Sequence, residues 1–179
     1  DVGGAEAPWC AAHGTGVMGA QGRGTLEHYG VESRLPFHMG TLGKALGTSG
    51  AYIVGPAEMI QYVLNTARTF LFATAPPPAT AAAAVAGLQV LQAEPERRAR
   101  LWENRQYLWS GLARLGFRLT ASASPILPVV IGDAQKTVAM ADRLLELGVY
   151  APAIRPPTVP KDTSRIRVTV TSEHSRAQL

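Results

Sequence analysis

His38-Met-Gly-Thr-Leu-Gly-Lys-Ala-Leu-Gly47 is the stretch on which the reading of this chain turns. A short strand is expected over Phe37 to Met39, and the glycines that follow flank a single lysine, Lys44. A carbonyl compound must reach such an ε-amine edge-on, and Gly43 and Gly47 let backbone come close to it. The amine must also lose a proton, which partial burial and a nearby cation both promote. By itself, a lysine in a glycine-rich turn is more often a solvated loop charge.

Two nucleotide-binding readings fail on spacing. A P-loop needs four residues between its glycines and a Ser or Thr after the lysine, whereas Gly40 is too close and Ala45 follows Lys44. Gly14-Thr-Gly-Val-Met-Gly19 has the dinucleotide-binding spacing, but that turn must open a helix. Here Ala20-Gln-Gly-Arg-Gly24 continues with more glycine.

Working outward, Ala51 to Val54 reads as a second strand, so that two strands bracket the Lys44 turn. Pro56 opens a helix through about Ala67. Pro76-Pro-Pro78 breaks the chain, and the alanine-rich stretch Ala79 to Ala93 is a strong helix former whose small faces suit a helix bridging two lobes. Beyond Pro95 the pattern becomes α+β. Leu101, Leu108, Leu112 and Leu115 recur at helical spacing until Gly116 stops the helix. Ile126 to Ile131 is a strand, Ala134 to Leu147 a helix ended by Gly148, and Val149 to Ala153 and Arg165 to Thr171 two further strands. Ser172-Glu173 is expected to cap a final helix.

Composition limits the function classes. The chain has 179 residues, 46% hydrophobic, enough for one core or one and a half small ones. No apolar run reaches the roughly 18 residues of a spanning helix, and the start lacks a basic-then-apolar leader, so a soluble, cytoplasmic protein is expected. The one cysteine, Cys10, forbids an internal disulfide. His13, His28, His38 and His174 lack ligand spacing, so no metal is expected. The net charge is +4, and Arg97-Arg-Ala-Arg100 begins a helix among Glu94, Glu96 and Glu103. That is a solvated face rather than a nucleic-acid patch.

Ala12-His-Gly-Thr-Gly-Val-Met-Gly19, Gln21-Gly-Arg-Gly24, Thr41-Leu-Gly-Lys44, Thr66-Ala-Arg-Thr69 and Ala153-Ile-Arg-Pro-Pro-Thr-Val-Pro160 together form one pattern. It resembles the α-oxoamine synthases, enzymes dependent on pyridoxal 5'-phosphate (PLP) that have the aspartate-aminotransferase fold. They condense an amino acid with an acyl thioester and release carbon dioxide. The resemblance implies an α/β architecture, PLP-dependent transferase fold type I, with a partial cofactor-binding large domain over residues 12–94 and a small α+β carboxy-terminal domain over 95–179. It runs from about Ala12 to the last residue yet covers only the later half of a family member, which implies a fragment. Residues 1–11 read as an atypical leader outside the family pattern, since Pro8 falls where a buried parallel strand is expected.

Within the family, the Ile154-Arg-Pro-Pro-Thr-Val-Pro160 run is most similar to the biotin-synthesis branch, whose substrates are L-alanine and pimeloyl-CoA or a pimeloyl-acyl-carrier protein. The alternatives are a sister synthase using glycine, of the 2-amino-3-ketobutyrate or aminolevulinate type, and a non-catalytic remnant. By the resemblance, Lys44 holds the PLP aldehyde and moves the Cα proton, His13 lies against the cofactor, and Thr41 contacts its phosphate. Thr74 reaches the phosphate of a neighbouring subunit's site, as expected of a homodimer. Extra Pro76 departs from the family pattern there. Arg167 grips the substrate carboxylate and Thr158 contacts substrate. Strand periodicity places Arg165 and Arg167 on one face, and the register of the resemblance selects Arg167. Cys10 stands where the family has the Asp that pairs with the pyridine nitrogen. A thiol offers no fixed negative charge there, so weak or absent catalysis is expected of the chain as given.

Overall fold

Cross-strand pairing at the Lys44 turn organises the first part of the molecule. The computed structural model describes residues 9–10, 12–119 and 124–179. Strand β1 (Trp9–Cys10) runs parallel to β2 (His38–Thr41), which pairs antiparallel with β3 (Ala51–Val54) in the order β1-β2-β3. Between β1 and β2 lie a run of glycine turns, a short helix α1 (Thr25–Tyr29) and a 3-10 turn at Glu32–Arg34. After β3 come α2 (Ala57–Thr66), the single turn α3 (Arg68–Leu71) and α4 (Pro78–Ala93). Proline at the first turn of α4 lacks only an N–H that has no helical acceptor there, and its fixed φ suits the helix. α2 ends where Asn65 Nδ2 and Thr66 Oγ1 each donate to the carbonyl four residues back, at 2.7 Å.

The chain divides into two compact units, Asp1–Pro95 and Glu96–Leu179. In the second, α5 (Glu96–Arg114) and α6 (Ala134–Glu146) accompany an antiparallel sheet of β4 (Ile126–Gly132), β5 (Ala153–Ile154) and β6 (Ser164–Thr169), ordered β4-β6-β5. Period-two alternation sends Leu127, Val129 and Ile166 inward, where all are buried. Val129, Ile166 and Ala151 pack with Leu112, Phe117, Met140 and Leu144. Asp133 caps α6 by accepting from the Lys136 amide at 2.8 Å, and buried Thr137 bonds the Asp133 carbonyl at 2.6 Å.

Several expectations shift. The first strand begins at His38 and extends to Thr41. The stretch Val149 to Ala153 is not a strand as a whole. Pairing begins at Ala153, because Pro152 has no amide to give and instead its carbonyl accepts from the Arg167 amide at 2.9 Å. The last strand covers Ser164–Thr169 rather than Arg165 to Thr171. The final helix expected at Ser172-Glu173 is absent: residues 170–179 form turns. Buried Asn104 on α5 takes the carbonyls of Thr171 and His174, at 3.1 and 2.8 Å, which a helix starting there would use itself. The Arg97 cluster begins α5, and its Arg97 meets Glu173 at 3.0 Å in an exposed pair. Trp9–Cys10 pair in the sheet although Pro8 precedes them. Pro8 and the rest of the leader, residues 1–8, lie outside the described residues, as do Ala11 and the side chains of Trp9 and Cys10.

Two helical glycines give opposite predictions. A Cβ on Gly87 of α4 would sit 2.8 Å from the Leu46 carbonyl oxygen, whereas one on Gly111 of α5 meets nothing within 4 Å. Alanine gains up to about 1 kcal/mol of helix propensity at either position. At Gly87 this is outweighed by about 1–3 kcal/mol of overpacking against backbone. Thermal unfolding followed by circular dichroism should therefore show Gly111→Ala raising the melting temperature and Gly87→Ala lowering it.

Candidate functional site

The Lys44 turn is closed by its own backbone. Leu42 N donates to Gly50 O at 2.9 Å, Thr48 N to Leu42 O at 3.1 Å, and Gly47 N to Lys44 O at 3.0 Å. Gly47 has φ of 63°, a left-handed conformation that suits glycine, so Lys44 opens a tight turn that Gly47 completes. The Lys44 side chain is exposed, and its Nζ donates to Thr41 Oγ1 at 3.1 Å. Thr41 Oγ1 is in turn 3.4 Å from the carbonyl oxygen of Ala12, a long contact for a hydroxyl donor. Amine, hydroxyl and the turn carrying His13 thus meet at one end of β2. His13 itself is exposed.

The next two residues, Ala45 and Leu46, are held from both sides. A Cβ on Gly16 would lie 2.5 Å from the Ala45 Cβ and 2.9 Å from Leu91 Cδ1 of α4, and Gly87 of α4 lies against the Leu46 backbone. Leu46 is buried. Thr48 Oγ1 donates to the Thr80 carbonyl at 3.2 Å, tying the turn to the first turn of α4. On β3, Tyr52 stands opposite Gly40, its ring against the glycine where a Cβ would collide. Its hydroxyl is 3.0 Å from Thr15 Oγ1.

The glycine run Gly14 to Gly24 is folded on itself. Gly16 N donates to Gly22 O, Met18 N to Gly14 O, and Gly24 N to Met18 O. Glu27 of α1 accepts from the amides of Gln21 and Arg23, each at 2.9 Å. These amides point at protein acceptors, so the dinucleotide spacing does not produce a phosphate-binding turn.

A lysine amine 3.1 Å from a threonine hydroxyl, on a turn that glycines keep clear of side chains, fits a carbonyl-bearing phosphate: the amine for the carbonyl, the hydroxyl for a phosphate oxygen. The donor set therefore suits PLP. Thr74, in the same unit, is exposed between α3 and α4. Thr158 and Arg167 belong to the second unit. Thr158 is exposed in a turn closed by its amide on the Arg155 carbonyl at 3.1 Å. Arg167 is half-buried on β6 opposite Pro128, while its face-mate Arg165 donates from Nε to the Thr163 carbonyl at 2.9 Å. Sequence reasoning missed Gly87, Thr48 and Tyr52. Only the opposition of Gly40 and Tyr52 across the hairpin, visible once the register is known, signals the last.

The aminotransferase class I and II family profile matches residues 11–179. The chain is 49% identical over 168 residues to the 8-amino-7-oxononanoate synthase of Anaeromyxobacter dehalogenans (strain 2CP-C), covering 94% of this chain and 42% of that protein. It is similar in structure to Sphingomonas wittichii serine palmitoyltransferase, with a TM-score of 0.88 and 34% identity over 94% of this chain and 43% of the other. A high-resolution structure of SPT with the PLP internal aldimine matches with the same score, identity and coverage. The 8-amino-7-oxononanoate synthase from Francisella tularensis matches at 0.83 and 26%, over 94% of this chain and half of that one. The chain spans less than half the length of the curated relatives it matches. It carries part of the PLP-dependent fold type I. With a profile match over nearly its full length, set on a lysine and hydroxyl arranged for an aldehyde phosphate, the chain belongs to the aminotransferase class I and II family.

Proposed function

We propose that this chain is the PLP-anchoring part of a synthase that condenses L-alanine with a pimeloyl thioester, carried on coenzyme A or an acyl-carrier protein, to give 8-amino-7-oxononanoate and carbon dioxide. The observation that carries the proposal is the 3.1 Å approach of Lys44 Nζ to Thr41 Oγ1 on the glycine-lined turn. Support for the substrate choice comes from curated relatives of that name at 43–49% identity. When bound, PLP supplies an aldehyde and a ring that accepts the negative charge developing at the alanine Cα as the carboxylate leaves.

In this reading Lys44 holds the cofactor covalently through Nζ and, when the substrate amine displaces it, takes the Cα proton and later returns one. Thr41 binds the phosphate through Oγ1, the atom that holds the free amine in this structure. His13 donates to or accepts from the cofactor's ring oxygen. Thr74 serves the phosphate of a neighbouring subunit's site in a homodimer. Arg167 binds the alanine carboxylate with its planar fork. The Arg165 Nε bond to Thr163 supports giving that role to Arg167 rather than to its neighbour on the same face. Thr158 contacts the acyl substrate.

Cys10 bears on rate rather than on attachment. The proposal gives the chain a competent lysine but no carboxylate to keep the pyridine nitrogen protonated, hence slow turnover.

Borohydride reduction of the purified chain with PLP, followed by peptide mass mapping, tests attachment directly. A pyridoxyl adduct on Lys44, a visible absorption band that reduction bleaches, and loss of both in Lys44→Ala are the expected results. Modification scattered over several surface lysines would overturn the reading. Joined to the amino-terminal half of the Anaeromyxobacter relative, the chain should condense alanine with pimeloyl-CoA in preference to glycine. There Lys44→Ala should lower turnover roughly 100- to 10,000-fold, and Cys10→Asp should raise it. Equal rates for Cys10 and Cys10→Asp would remove the account given for that position.

A further inference from the structure

Tyr52 has no part in the chemistry above, yet its side chain crosses from one segment of the site to another. It leaves β3 opposite Gly40, and its ring occupies the space that any side chain at position 40 would fill. Its hydroxyl then reaches Thr15 Oγ1 at 3.0 Å, a good distance for a hydroxyl pair. Thr15 lies two residues after His13. The same residue is held on its backbone side by Gly24, where an added Cβ would be 3.2 Å from the Thr15 nitrogen and 3.3 Å from the Gly14 carbonyl carbon. One residue further, Gly16 lies against Ala45, the residue immediately after Lys44. The turn that carries His13 is therefore fixed at one point to the lysine's own loop and at another to the Tyr52 hydroxyl.

We infer that Tyr52 is a positioning residue for the Lys44 site, setting through Thr15 where the His13 turn lies against the lysine hairpin. The inference rests on the assignment of Lys44 and His13 to cofactor binding. Gly40 and Tyr52 act as a pair: glycine opens the space across β2, and the tyrosine uses the full length of its side chain to cross it. A phenylalanine fills the same space without the hydroxyl, so Tyr52→Phe separates the hydrogen bond from the packing.

The test uses Tyr52→Phe, Thr15→Val and the double variant in the full chain, each first shown to be folded by circular dichroism. Two readouts follow. Without cofactor, the rate of His13 carbethoxylation by diethyl pyrocarbonate, followed by mass spectrometry, should change about three- to tenfold in either single variant, the range set by one lost hydrogen bond. With PLP, the pH midpoint of the visible band formed at Lys44 should shift in both. In either readout the double variant should be no worse than the stronger single, since one bond cannot be lost twice. Unchanged His13 rates and an unchanged midpoint, or effects that add in the double variant, would overturn the inference. A parent chain in which His13 responds as expected but no band forms at Lys44 would instead overturn the cofactor assignment and leave the positioning of the turn supported.

Discussion

Close backbone approach around Ala45 and Leu46 is the constraint on which the first unit depends. The two residues after the lysine sit between Gly16 of the glycine turns and Gly87 of α4, at separations that no side chain at either glycine permits. Burial of Leu46 secures the arrangement, and the Thr48 bond to Thr80 aligns the turn with the start of α4. Lys44 needs the opposite environment, an exposed amine free to meet a carbonyl. The structure supplies both by making the lysine the first residue of a turn whose following residues are anchored.

The same logic explains why so much glycine is concentrated near one lysine. Gly47 adopts a left-handed φ to close the turn, while Gly16, Gly40 and Gly87 are there for space, each facing a different neighbour: Ala45, Tyr52 and Leu46. The Gly14 to Gly24 run serves a scaffold whose amides bond internally and to Glu27. A glycine motif is thus a statement about backbone clearance before it is one about ligands. The second unit is stabilised differently, by inward Leu127, Val129 and Ile166 on an antiparallel sheet and by buried Asn104, which takes the carbonyls of the terminal turns.

Most helices and the central strands were legible because periodicity and proline or glycine punctuation report local preference: α4 after Pro76-Pro-Pro78, α5 up to Gly116 and β4 at Ile126 all follow it. The misses share a cause. The short reach of β5 follows from a carbonyl–amide pairing between Pro152 and Arg167, and the absent terminal helix from a side chain 67 residues away in sequence. Neither partner is visible in a local window. Lys44, Thr41 and His13 were read from motif resemblance, and the structure brings their turns together. The contribution of Tyr52 has no sequence signature apart from the hairpin register.

The sequence alone therefore determined which residue types were available and where local structure starts and stops: a lysine among glycines, a hydroxyl three residues earlier, and alternating arginines on a strand. Those follow from covalent geometry and from the 3.6- and 2-residue periods, which act over a few residues. Tertiary structure decided which glycines clear space for which neighbours, that the dinucleotide-like amides turn inward, and that Tyr52 reaches Thr15 across Gly40. These depend on contacts between segments distant in the chain, and their energies arise only when the backbone has closed around them.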